Sequence, residues 1–357
     1  MASNKVFRVY GCDYDPNPDI YSVQRKLSRF ISLRGGGADG VYGLSLKYWD
    51  ALSRVGASFE KGALYPCPDH LSAAPGFRTE IYPETFREHI NSGGCEEYCR
   101  LFGEGYIQAF GKGETPLLLG ADHALTGGIL RELLKSEPDL KVLVFDSHFD
   151  GFSPETRNGL VGYTIENCPE GNPDSQYRQY EYFGEDFKGG YDTGSFLHSL
   201  AEEGVLDPES LSVFGVSSLP APEMKDSEDE RIKRYFDEYD RFLKRGSRII
   251  PADTLNSMRA GTMKEGLGCS LAGTKAYLSI DADVLGGPLG AATRYGSGLG
   301  VSAGRIAEVL IALDISSAQL VGMDIMEIDI TRLMEENEKE IFYEAVSLLK
   351  KIIDCLG

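Results

Sequence analysis

Apolar residues along this chain follow two rhythms. Short, nearly unbroken runs read as buried strands: VFRVYG (6–11), PLLLGADH (116–123), KVLVFDSH (141–148), LSVFGVS (211–217), SRIIPA (247–252), KAYLSIDAD (275–283) and QLVGMDIME (319–327). Between and around them, apolar positions recur at helical spacing over 22–33, 44–55, 93–112, 125–136, 223–245, 303–313 and about 332–355. Ser92 is placed to cap the helix that ends at Gly111, and Ser302 the one that starts at 303. Apolar runs on either side of a helix are what a parallel βαβ unit requires, since such strands are covered on both faces. The alternation predicts a doubly wound α/β sheet. No repeat, low-complexity tract or linker divides the chain, so 1–357 is expected to be a single domain. Residues 151–195 break the rhythm: this Gly-, Tyr- and acid-rich stretch is expected to be a long loop insertion, serving as a lid or wall.

Composition narrows the partners. The 36 Lys and Arg against 55 Asp and Glu give a net charge of -19, which repels nucleic acid and anionic membranes and attracts cationic molecules or peptides. Solubility alone is also a sufficient reason for such a charge. Seven scattered cysteines in a chain this long suggest reduced thiols. Cys95 and Cys99, one helical turn apart, read as half-buried helix residues rather than a soft metal site. The N-terminal MASNKVFRVYG has no signal-peptide core and no 18-residue apolar stretch occurs, so a cytoplasmic, membrane-free protein is expected.

The candidate chemistry lies where strands end, the usual place for ligand sites in parallel sheets. His123 follows PLLL; Asp146, His148 and Asp150 follow VLV; Asp281 and Asp283 follow KAYL; and Glu327 closes LVGMDIME. A lone strand-end Asp is commonly a cap, and a lone His a satisfied polar residue. Carboxylates and imidazoles at three successive strand ends favour a metal site. In extended chain Asp146 and Asp150 would stand about 13 Å apart, so the backbone must curl after Asp146, and Gly151 suits such a bend. Asp281 and Asp283, two apart, would share one face of a strand. Two imidazoles and four carboxylates suit two divalent cations, Mn²⁺ first, with Ni²⁺, Co²⁺ or Fe²⁺ as other candidates. His70, His89 and His198 lack such context and read as surface residues.

In this order GADHALTGG, FDSHFDGFSP, SIDADVLGGP and MDIMEID resemble the motifs of the ureohydrolase superfamily: arginases, agmatinases and related amidinohydrolases. The resemblance covers most of the chain and implies an arginase-like three-layer αβα sandwich with a mainly parallel, eight-stranded sheet, in a homo-oligomer. It also implies that His123 and Asp150 bind one metal, His148 and Asp283 the other, and that Asp146 and Asp281 bridge both. In that family a metal-bridging hydroxide attacks a guanidinium carbon and releases urea and an amine, the arginine-to-ornithine type of chemistry. Asp150 would orient the hydroxide, and Glu327 would pair with the guanidinium as catalytic and substrate-binding carboxylate. Another reading of Glu327 is a buried ion pair with an arginine.

Departures from the family pattern point to the substrate. Ala121 stands for a Gly, and Gly286 and Gly287 replace Asp-Pro. No histidine occurs between His148 and His198, where arginases and agmatinases carry one, and Phe152 stands near an expected Asn. A site without those polar anchors should lose discrimination for free arginine. The expected substrate is therefore a non-standard guanidino compound, such as an arginine residue within a peptide. Hydrolysis of another C–N bond, in a formimino or acetylated amine, is an alternative. A catalytically silent binding subunit is a third, disfavoured by the complete ligand set.

Overall fold

All seven predicted strands form, and an eighth joins them. In the computed structural model, the described residues are 6–18, 23–24, 58–71, 82–110, 113–167, 188–291, 293, 300–328 and 338–356. The strands are β1 (Val6–Cys12), β2 (Ser58–Tyr65), β3 (Thr115–Gly120), β4 (Lys141–Phe145), β5 (Leu211–Val216), β6 (Arg248–Pro251), β7 (Lys275–Asp281) and β8 (Gln319–Met326). They make one sheet in the order β2-β1-β3-β8-β7-β4-β5-β6, every pairing parallel. The strand absent from the sequence reading, β2 (SFEKGALY), lies at the sheet edge with Glu60, Lys61 and Leu64 exposed. An edge strand needs no continuous apolar run, so its pattern carries little signal.

Side-chain alternation along the strands feeds two cores, one on each face of the sheet. Leu117, Leu119, Leu143, Phe145, Leu278 and Ile280 pack under the helices Ala303–Ala312 and Glu338–Cys355. Leu118, Val142, Val144, Val213 and Tyr277 pack on the other face, against Gly94–Tyr106, Ala124–Ser136 and Phe196–Glu202. Helices on both faces give the expected three layers. Ser302 caps its helix as predicted, its Oγ accepting the Arg305 N–H at 3.1 Å.

Several expectations are corrected. The helix predicted over 93–112 runs Gly94–Tyr106 and closes in a 3₁₀ turn, Ile107–Ala109; Ser92 ends a separate helix, Pro83–Asn91. Gly93, at φ 81°, makes the break, a left-handed conformation suited to glycine. The helix predicted over 223–245 is a 3₁₀ turn, Pro222–Asp226, then Glu230–Lys244. Within 151–195, Pro154–Asn167 is helical rather than loop, and the remainder is described only from 188 onward. The helices predicted over 22–33 and 44–55, and the 332–337 part of the last helix, lie almost wholly outside the described residues. Among the described residues, no helix is long and apolar enough to cross a membrane.

The three histidines read as surface residues are half-buried instead. His89 Nε2 lies 2.9 Å from the Tyr14 hydroxyl and its Nδ1 3.4 Å from His70 Nε2. Burial, with His70 adding to it, pushes the His89 ring from its usual 6.5 down to about 4. Over that interval the unfolded chain binds more protons, so the stability present above about pH 6.5 is lost as pH falls toward about 4. Replacing His89 with Phe is expected to flatten the fall in melting temperature between pH 7 and 4; parallel curves for the two proteins would refute this.

Candidate metal centre

Three strand ends and one helix start deliver the predicted ligands. Beyond β3, Asp122 Oδ1 accepts the Ala124 N–H at 3.0 Å in the turn that leads into the helix Ala124–Ser136. This turn presents His123, which is fully buried. Beyond β4 the chain curls as the geometry demands: the His148 N–H donates to Asp146 Oδ1 at 2.6 Å, folding the backbone over Asp146. Gly151 contributes differently from expectation. Its φ is not positive, but a Cβ there would lie 2.4 Å from the Phe149 ring. The strand reading of Asp281 and Asp283 is also corrected. β7 stops at Asp281, whose carboxylate accepts the Asp283 N–H at 2.9 Å and caps a 3₁₀ turn, Ala282–Val284. That turn sends the two carboxylates to different neighbours.

Two groups of donor atoms result. One comprises His123, Asp146, Asp150 and Asp281, the other Asp146, His148 and Asp283; within each, all donor atoms lie within 4.8 Å of one another. His123 Nδ1 faces Asp150 at 3.0 Å, Asp146 at 3.2 Å and Asp281 at 3.4 Å. His148 Nδ1 faces Asp283 at 2.8 Å and Asp146 at 3.7 Å. Asp146 is common to both groups, and all six predicted ligands are drawn into one cluster.

Four carboxylates around two imidazoles demand positive charge. Burial, then the charges of Asp150 and Asp283, push the Asp146 carboxyl well above the usual range. Burial followed by Asp283 and Asp146 does the same to Asp281. Burial would lower the His123 ring, but Asp146, Asp150 and Asp281 lift it well above its ordinary value. Loss of solvent likewise works against protonating His148, and Asp283 overrides it. Burial would raise Asp283, yet His148 and the Ser147 N–H pull its carboxyl down to about 2. Asp146 Oδ2 is buried without a hydrogen bond. Hard oxygens, imidazoles and an excess of negative charge fit divalent cations, and two positions sharing Asp146 fit the donor set.

Glu327 stands beside this cluster. Its carboxylate Oε1 accepts the His123 N–H at 2.9 Å and the Thr193 hydroxyl at 3.0 Å. It is 3% exposed and its backbone sits at φ 59°, a left-handed conformation costly for a residue with a side chain. Both features tie the end of β8 to the site.

A cavity of about 290 Å³ opens onto the cluster. Its floor includes His148, Asp150, Asp281, Asp283 and Glu327. One wall comes from the helix Pro154–Asn167, through Arg157, Asn158, Leu160 and Val161. Ser153 holds that helix start, its Oγ accepting the Thr156 N–H and donating to Glu238 Oε1 at 2.7 Å. Phe152 packs edge-on to Phe149 at 5.2 Å and against Tyr235 at 4.6 Å. Arg157 is paired with Asp192, whose Oδ1 also accepts the Ser195 hydroxyl at 2.9 Å.

Sequence reasoning missed Thr193, which lies in the stretch read as loop, and missed Ser279 and Asp324. The last two did carry a signal: each is a polar residue at a fully buried position of an otherwise apolar strand.

Residues 87–338 match the model of the arginase family. The chain belongs to the arginase family. A curated relative, "Putative agmatinase 1" of Schizosaccharomyces pombe, is 22% identical over 239 residues, 66% of this chain. The chain spans about half the length of that relative (51%). Among solved structures, an arginase of Bacillus subtilis superposes with a TM-score of 0.60 at 15% identity, covering 99% of both chains. A Trypanosoma cruzi formiminoglutamase variant, solved with Mn²⁺, gives 0.54 at 13% identity over 98% of this chain and 95% of its own. At these identities the superpositions speak for the fold. The arginase-family chain thus places its cluster at the carboxyl ends of central parallel strands.

Proposed function

We propose that this chain is a dimetal amidinohydrolase that adds water to a guanidinium carbon and releases urea and an amine. One observation carries the reading: six candidate metal ligands form one cluster, and four of them (His148, Asp150, Asp281 and Asp283) line a single cavity together with the buried carboxylate of Glu327. Two divalent cations, Mn²⁺ by donor chemistry, would supply a water ionised near neutral pH. The residues do the rest. Glu327 binds the planar guanidinium through a charge-assisted pair, fixed by the donors on its Oε1. Asp150 orients the attacking water by a hydrogen bond, and its place against His123 and on the cavity floor supports that role.

The substrate is an arginine residue within a peptide rather than the free amino acid. Phe152, near the sequence position where the family pattern has an Asn, lines the cavity and packs on Phe149 and Tyr235, and its ring can offer an amino-acid head no hydrogen bond. The charged wall groups Arg157 and Asp192 are engaged with each other. The chain's charge of -19 favours cationic substrates.

The test measures metal content after Mn²⁺ loading, then urea from arginine, agmatine, guanidino acids and an arginine-containing peptide. Two ions per chain, with urea from the peptide and little from arginine, is the expected result. Less than one ion per chain, or no urea from any substrate, overturns the reading. Urea from arginine but not from the peptide overturns the peptide assignment alone.

A further inference from the structure

Asp324 is a fully buried carboxylate in the middle of the sheet, on β8 between Met323 and Ile325. In a strand so apolar, a carboxylate costs stability unless it is bonded on every side. Three hydroxyls bond it. Ser279, its register neighbour on β7, donates to Oδ1 at 2.6 Å. Tyr277 and Thr126 donate to Oδ2 at 2.7 and 2.9 Å.

The consequence lies one bond further on. A serine hydroxyl has a single proton, and that of Ser279 is spent on Asp324. Ser279 Oγ also stands 2.9 Å from His123 Nε2, where it has only lone pairs to offer. The ring therefore donates Nε2–H to Ser279 and turns Nδ1 toward Asp146, Asp150 and Asp281. Phe196, with its ring centroid 4.9 Å away, braces the imidazole. His148, 40% exposed at its side chain, lies outside this chain of bonds.

We propose that Asp324 and Ser279 are positioning residues for the buried cation position: they hold the His123 ring so that its Nδ1 is the atom presented to a divalent ion. The inference rests on the dimetal reading above. It adds that the two positions are supported unequally, one through a relay reaching into the sheet and one through His148 near the cavity.

Mn²⁺ titrations of the wild type, Ser279→Ala, Ser279→Thr, Asp324→Asn and Tyr277→Phe, read by the resonance of free Mn²⁺ and by thermal unfolding, test it. Ser279→Ala and Asp324→Asn are expected to weaken one of two sites by about 10- to 100-fold and leave the other unchanged. Ser279→Thr, which keeps the hydroxyl, is expected to restore that site. Tyr277→Phe removes an Asp324 partner outside the relay, so it is expected to lower the melting temperature while both affinities hold. Wild-type affinity at both sites in Ser279→Ala overturns the inference, as does equal weakening of both sites in step with lost stability. Should Asp324→Asn not fold, the two Ser279 variants decide. A wild type that binds fewer than two ions overturns the dimetal reading and the inference together.

Discussion

Asp146→Asn is expected to cut bound Mn²⁺ from two ions per chain to fewer than one, and urea formation by at least about 10³-fold, because neutral-pH hydrolysis depends on a metal-lowered water pKa. Among the described residues, Asp146 is the residue that the two donor groups share, so its loss touches both positions. The amide keeps the shape and can still accept the His148 N–H, now met by Oδ1 at 2.6 Å. What it removes is charge. In the metal-free protein that charge is a burden: burial, then Asp150 and Asp283, push the carboxyl well above its usual range. A raised carboxyl holds its proton more tightly when folded, so metal-free stability falls as pH rises above the unfolded value. Relieved of this, the metal-free variant is expected to melt higher than the metal-free wild type at pH 7 and to lose less stability with rising pH. Added Mn²⁺ raises the melting temperature of the wild type and not of the variant. A variant that melts lower without metal, or that still binds two ions, contradicts the shared-carboxylate account.

Glu327→Gln should leave both ions bound and still lower kcat/KM by roughly 10²- to 10⁴-fold, the cost of removing one partner from a buried pair of about 3–5 kcal/mol. The amide oxygen can take over the bonds from the His123 N–H and the Thr193 hydroxyl, so the site geometry is retained. Only the negative charge facing the guanidinium is lost. Steady-state kinetics beside metal analysis separate the cases: activity within tenfold of wild type would remove Glu327 from substrate binding, and loss of metal would show a structural part instead.

Much of this could be read from the chain, and the reasons differ by element. The central strands were legible because burial on both faces leaves no room for polar interruptions, as in PLLLG and KVLVF. His123, Asp146 and Asp281 stood out because each lies at or just past the end of such a run. Their grouping was less legible. Where Asp281 and Asp283 point depends on a 3₁₀ turn held by one side-chain bond, which alternation does not reveal. The edge strand β2 and the helix Pro154–Asn167 escaped because neither has the apolar pattern of a covered element; the helix has apolar residues on its cavity side. Thr193 could not be found at all, since its role depends on Glu327, 134 positions away.

The strand order has a further consequence, for how the chain reaches its native state. β8, the last strand in sequence, lies in space between β3 and β7, so His123 and Asp281 come together only once it has inserted. The carboxylates that follow β4 and β7 are neighbours without β8, so their mutual repulsion is met as those two strands pair, and the His123 position is completed last. A nascent chain lacking its last strand can bring Asp146, His148 and Asp283 together, but not His123 with Asp281. Cation capture at the His123 position then marks completion of the sheet, and it favours the finished topology over any compact form that leaves β8 outside.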